Sequence, residues 1–316
     1  MQQSKTAPIR LILDTDMLTD CDDAAALGML HVMADAGEVE ILATGVSSRH
    51  PLSAPVVEVI NNYYGRPNLA VGAPKQGSGA YRPDSSFLTQ LAAEFPHQFL
   101  SNDDAPDAVD VYRRCLAHAG APVKIVTIGY MANLARLLQS LPDDASPLNG
   151  SELIANTVSE WVCMGGNFPV DDARDNVNFT RDPASAIYAI RHWPGRITFV
   201  GREIGHNIYV GDRLKETPLT NPVRRAYQLH RERYQLGHWN HHTADPSAVL
   251  YAVRGLQQYF ELQEGGFMDI QDDCSFTWTQ AAGQQQAYLL QKMERAAMGQ
   301  VMERLMIHPP ARFSPI

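Results

Sequence analysis

Short apolar runs alternate with amphipathic stretches along most of the chain. The first run, Ile9 to Leu13, ends in a polar cluster and reads as a buried strand, with a helix over residues 24–33 packed behind it. Runs at 39–46, 69–71, 123–128, 157–164 and 196–200 read as further strands. Helical patterns fall between them. One covers 56–64 and stops at Gly65 and Pro67, one runs from Ala105-Pro106-Asp107 to His118, and one follows Thr220-Asn221-Pro222 over 223–236. This alternation predicts an α/β fold, a single open and mostly parallel sheet flanked by helices. After Tyr251 the pattern changes. Residues 267–270 and 275–278 suggest a strand pair, and a helix would place Leu289, Met293, Ala296, Ala297, Val301 and Leu305 at helical spacing. The segment from about 260 to 316 is expected to be an appendage of one domain spanning residues 1–316.

Composition narrows the choice of partners. The 316 residues are 45% hydrophobic, enough for a large buried core, and the formal net charge is -9. Phosphate backbones and anionic membranes are bound by lysine and arginine clusters that this chain lacks, so neither nucleic acid nor membrane is an expected partner. The cysteines Cys21, Cys115, Cys163 and Cys274 show no Cys-x-x-Cys pairing, so their spacing indicates neither a zinc site nor a disulfide framework. The N-terminus Met1 to Arg10 has no apolar core of signal-peptide length, and a cytoplasmic location is expected. Residues 75–83, with Gly77, Gly79 and Pro83, form a loop from which Tyr81 and Arg82 could touch a ligand.

The chemistry concentrates after the first strand. Asp14, Asp16, Asp20, Asp22 and Asp23 crowd into ten residues, a density that repels itself unless a cation or several donors balance it. Helix capping accounts for one or two aspartates, not five. The ion that suits oxygen ligands is hard, Ca2+ or Mg2+. Gly165-Gly166-Asn167 follows the 157–164 strand, where glycines allow close approach to a ligand, and Glu203 and His206 follow the 196–200 strand.

Asp14-Thr15-Asp16, three residues, then Asp20-Cys21-Asp22-Asp23-Ala24 resembles the opening motif of the inosine-uridine preferring nucleoside hydrolases, in the variant whose loop carries an extra Asp-x. Further on, Gly129-Tyr130-Met131-Ala132-Asn133, Met164-Gly165-Gly166, Asn176-Val177-Asn178-Phe179 and Asp245-Pro246-Ser247-Ala248 resemble later elements of that family. The resemblance implies a Rossmann-related sheet and calcium-dependent cleavage of the N-glycosidic bond of ribonucleosides, as in purine and pyrimidine salvage. It implies a Ca2+ site made by Asp16, Asp23, the Ile128 carbonyl and Asp245. Asp16 would also activate water, Asp20 or Asp22 would bind ribose hydroxyls, and Asn178 would bind them too. Asn176 stands where the family usually has glutamate, and Asn133 reads as a helix-start residue. Ala244 stands where the family often has the histidine that protonates the leaving base, a role that His241 or His242 could take. Asn167 and Glu203 complete the expected substrate contacts. A homodimer or homotetramer is expected.

Two rivals remain open at this level. Asp14-x-Asp16, Thr127 and Gly211-Asp212 loosely mimic a haloacid-dehalogenase-type phosphatase with Asp14 as nucleophile, although Leu18 occupies the usual threonine or valine position. Asn176 and Ala244 also fit a calcium-dependent ribose- or nucleoside-binding protein without catalysis.

Overall fold

The computed structural model describes residues 7–75, 80 and 82–311; Gly77, Gly79 and Tyr81 of the glycine loop lie outside them. The strands are β1 (Ile9–Thr15), β2 (Val39–Val46), β3 (Ala70–Gly72), β4 (Val123–Thr127), β5 (Val158–Met164), β6 (Val170–Asp171), β7 (Ile197–Val200), β8 (Tyr209–Val210), β9 (His241–His242), β10 (Phe260–Ile270), β11 (Phe276–Gln280) and β12 (Gln286–Gln291). Ten of them form one sheet in the order β3-β2-β1-β4-β5-β7-β12-β10-β11-β6. The first seven in that order run parallel, and the rest pair antiparallel. The expected α/β architecture is what the chain adopts.

Both faces of the parallel part are covered, so its strands are apolar throughout rather than alternating. On β1, Leu11 and Leu13 pack into one core while Ile12 packs into the other. Strand order reverses between β1 and β4, because β2 and β3 lie to one side of β1 and β4, β5 and β7 to the other. Ligands of such sheets bind outside the carboxyl ends of the strands at that point. The aspartate motif leaves β1 there.

Several local readings change. Pro55 sits in the first turn of a helix that starts at Ser53, earlier than the polar residues suggest. The polar stretch before β5 ends in a helix, Gly150–Thr157, secured by a capping box of Asn149 and Glu152. The expected strand pair near the C-terminus is three strands, β10 to β12, that continue the main sheet. Leu289 belongs to β12, so the last helix, Arg295–Met306, begins later than expected. Its buried stripe is Met298, Met302 and Met306, while Ala296 and Ala297 face solvent. Asn133 does not cap its helix; its amide donates to Asp14 Oδ2 and to the Val46 carbonyl, each at 2.8 Å. Among the described residues no helix is long and apolar enough to cross a membrane.

Candidate functional site

The carboxyl ends of β1, β4 and β5 open into a cavity of about 290 Å3. Asp16, Asp20, Asp22, Asp23, Asp245, Ile128, Asn176, Asn178 and His242 all line it. Carboxylate oxygens of Asp22, Asp23 and Asp245 lie within 4.8 Å of one another, although Asp245 is more than two hundred residues away in the chain. Asp22 and Asp23 open the helix Asp22–Asp35, and Asp245 lies in the first turn of the helix Ala244–Arg254. Neither helix has a side-chain cap, so these aspartates are not there to cap it.

The backbone holds the acidic turn tightly. Asp23 Oδ1 accepts from the Thr15 hydroxyl and from the Met17 N–H at 3.2 Å. Met17 adopts a left-handed backbone with φ of 36°, a strained conformation that clusters at functional sites. Asp22 Oδ2 accepts from the Asp245 N–H at 3.4 Å and lies 3.2 Å from His242 Nδ1. Gly129 packs against this turn. A Cβ there would stand 2.3 Å from the Asp16 nitrogen and 2.8 Å from its Cβ. Gly129→Ala is therefore expected to displace the motif and cost about 1–3 kcal/mol, read as a lower Tm in a thermal melt. A melt unchanged from the parent would refute this tight packing.

Electrostatics separate the carboxyls by surroundings. Burial pushes Asp16 up to about 6, with the Tyr130 hydroxyl pulling the other way. Burial, and then repulsion from neighbouring aspartates, drives Asp23 and Asp245 well above the usual range. Burial also opposes charge on Asp22, but His242 and His241 more than offset it and hold this carboxyl near about 2. The donor set is therefore one ionised carboxylate beside acids that ionise when a cation arrives, and hard oxygen donors of this kind fit a divalent ion. Asp20 lines the cavity but is not part of the three-carboxylate cluster.

Asn176, also lining the cavity, is 1% exposed, and neither atom of its amide has a hydrogen-bond partner among the described residues. A buried amide left unpaired at a cavity wall is free for ligand hydroxyls. Asn178 beside it spends its N–H on Met164, 3.2 Å from the carbonyl. Asn167 and Glu203 do not line this cavity; they border other, more open surface depressions that share Arg202 with it. Glu203 accepts from the Phe168 N–H at 3.2 Å, and burial raises its carboxyl to about 7. His241 does not line the cavity either, whereas His242 and His206 do. Asp14 is fully buried, accepting from Tyr112 at 2.5 Å and from Asn133, so it is not placed as a nucleophile and the phosphatase reading has no support in the geometry.

Sequence reasoning missed the arginines of the cavity wall, Arg174, Arg181 and Arg202. Arg181 follows Asn178 by three residues across the single-turn helix Val177–Thr180, a spacing that puts both on one face, and it donates to the Tyr130 hydroxyl at 3.0 Å. Arg174 pairs with Asp172, and Arg202 lies 3.7 Å from Asp175.

A family model described as inosine-uridine preferring nucleoside hydrolase matches residues 11–304. Among solved structures, a plant nucleoside hydrolase, PpNRh1, is 19% identical with a TM-score of 0.69, the match covering 96% of this chain and all of that one. The type III effector protein XopQ, solved with adenosine diphosphate ribose, is 15% identical with a TM-score of 0.70, over 98% of this chain and 95% of that one. The inosine-uridine preferring nucleoside hydrolase from Bacillus anthracis is 13% identical with a TM-score of 0.68, over 94% and 99%. No curated protein matches the sequence.

Proposed function

Because the chain belongs to the inosine-uridine preferring nucleoside hydrolase family, whose members are N-glycosyl hydrolases, we propose that it hydrolyses ribonucleosides to a free base and ribose with the help of Ca2+. The observation that carries this reading is the meeting of Asp22 and Asp23 with Asp245 in a cavity that the unpaired Asn176 amide also lines. Asp16, Asp23, Asp245 and the Ile128 carbonyl would hold the ion. Bound there, Ca2+ would anchor two sugar hydroxyls and position a water. Asp22, itself a member of the three-carboxylate cluster, would take a ribose hydroxyl, with Asn176 and Asn178 taking others.

The bond between the anomeric carbon and the base nitrogen breaks with oxocarbenium character on the sugar. Asp16, its carboxyl near 6, accepts the proton of the attacking water. His242 gives a proton to the departing base. Burial opposes charge on its ring, but Asp22 more than compensates and its pKa rises above the ordinary histidine value. This histidine stands in for the one that Ala244 replaces.

The cavity arginines favour one variation, a ribose that carries phosphate, and XopQ was solved with such a ligand. The test is base release from a panel of purine and pyrimidine nucleosides and of adenosine diphosphate ribose, with calcium added. Release from nucleosides is expected, falling about 100-fold or more in His242→Gln when the leaving base needs its proton. Tight nucleoside binding with no base released at any pH would favour a binding protein instead and reject the hydrolase reading.

A further inference from the structure

Four imidazoles run inward from the cavity. Ring centroids are 4.3 Å apart from His206 to His242, 4.0 Å from His242 to His241 and 4.5 Å from His241 to His230. The outer two border the cavity, and His242 serves the reaction proposed above, whereas the inner two do not border it. At the inner end, one ligand atom each from Cys21, His230 and His241 lie within 4.8 Å of one another. Cys21 is 1% exposed and His230 5%, and the three come from different elements: the turn before the helix Asp22–Asp35, the helix Pro222–Arg233 and β9.

The surroundings of the two imidazoles suit a ligand role, and Cys21 Sγ meets the Tyr227 hydroxyl. Ser86 Oγ lies 3.3 Å from the Thr19 carbonyl and 3.2 Å from His230 Nδ1. With the hydroxyl proton directed at the carbonyl, Ser86 accepts from His230 Nδ1–H, the tautomer that offers the Nε2 lone pair to an ion. A histidine ligand is ordinarily oriented in this way, by an outer partner on its other nitrogen. His241 Nε2 is buried with no hydrogen-bond partner among the described residues, and Asp22 Oδ1 lies 3.8 Å away, too far for a hydrogen bond but suited to two ligands of one ion. One thiol and two imidazoles are donors for a borderline-soft ion, unlike the all-oxygen cluster beside them.

We propose that Cys21, His230 and His241 form a second metal site, for a divalent ion of the zinc class, with its fourth position facing Asp22. Binding releases one proton from Cys21 Sγ, which ligates as thiolate. The ion joins three elements at a point flanked in sequence by Asp22 and His242, so it fixes the placement of both. The cysteine spacing carries no trace of it, because the two histidines come from over two hundred residues away.

The full chain is stripped of metal, saturated with Ca2+ to occupy the oxygen cluster, and titrated with Co2+ alone as a spectroscopic stand-in for zinc. One equivalent is expected to bind with a thiolate-to-cobalt charge-transfer band, which Zn2+ then bleaches. The band should vanish in Cys21→Ser, and in Ser86→Ala, which removes only the orienting hydroxyl, cobalt affinity should fall about 10- to 100-fold. The wild-type spectrum decides without relying on a variant to fold. Cobalt bound with no thiolate band, no cobalt bound in the presence of Ca2+, or a band that persists in Cys21→Ser would each overturn the site. Base release measured on the same calcium-loaded sample reports separately on the hydrolase reading.

Discussion

Asp16→Asn is expected to lower base release by at least about 1,000-fold while leaving the fold intact. The carboxylate lies one residue beyond β1, where Gly129 lets the chains meet closely, and it faces the cavity beside Asp23. An amide there keeps the shape but accepts no proton from water, and loss of a general base alone costs about 100- to 10,000-fold. It also weakens the calcium set by one negative ligand, so turnover suffers twice. Stability moves the other way in the calcium-free protein. Burial opposes the Asp16 charge, and asparagine removes that penalty together with repulsion of Asp23 and Asp245. The paired measurement is base release with calcium and a thermal melt without it. An Asp16→Asn protein that melts no earlier than the parent and still turns over at the parental rate would reject Asp16 as the base.

The parts of this site that the sequence discloses are those governed by local pattern. Asp14 to Asp23 can be read because five carboxylates in ten residues have no ordinary structural purpose, and β1, β4 and β5 because buried parallel strands are continuous apolar runs. What is hidden depends on register and on pairing between distant segments. β10 carries Gly265 and Gly266 at a register shift and polar residues at most of its exposed positions, so only its last four residues look like a strand; its pairing with β12 and β11 supplies the rest. His241 and His242 are indistinguishable in sequence, yet on a strand neighbours point to opposite sides, and here only His242 borders the cavity. Asn133 looks like a cap but is spent on Asp14, a contact that exists only once β1 and the helix after β4 are packed together. Asp22 and Asp20 are likewise equivalent in the motif until Asp245 arrives beside one of them.

Removing calcium is expected to abolish turnover and to lower Tm, and by more at about pH 8 than at about pH 5. The sign follows from the carboxyls. Asp16 rises from an ordinary 3.8 to about 6 on folding, and Asp23 and Asp245 also rise, burial being the main cause in each. Without the ion the folded chain therefore holds more protons than the unfolded chain from about pH 4 upward through these raised values. Its stability falls as pH rises through that window. The ion needs the same groups deprotonated, so its contribution is small in acid, where it competes with protons, and grows as they leave. At 100 times its dissociation constant a ligand adds about 2.7 kcal/mol, which is about 4 °C in Tm for a chain of this size. Melts with chelator and with calcium restored, at both pH values, measure the effect. Calcium must restore activity and the higher Tm together, because the carboxylates that bind it also serve the reaction. Melts that coincide at about pH 8 with and without calcium would mean that the convergent aspartates hold no such ion.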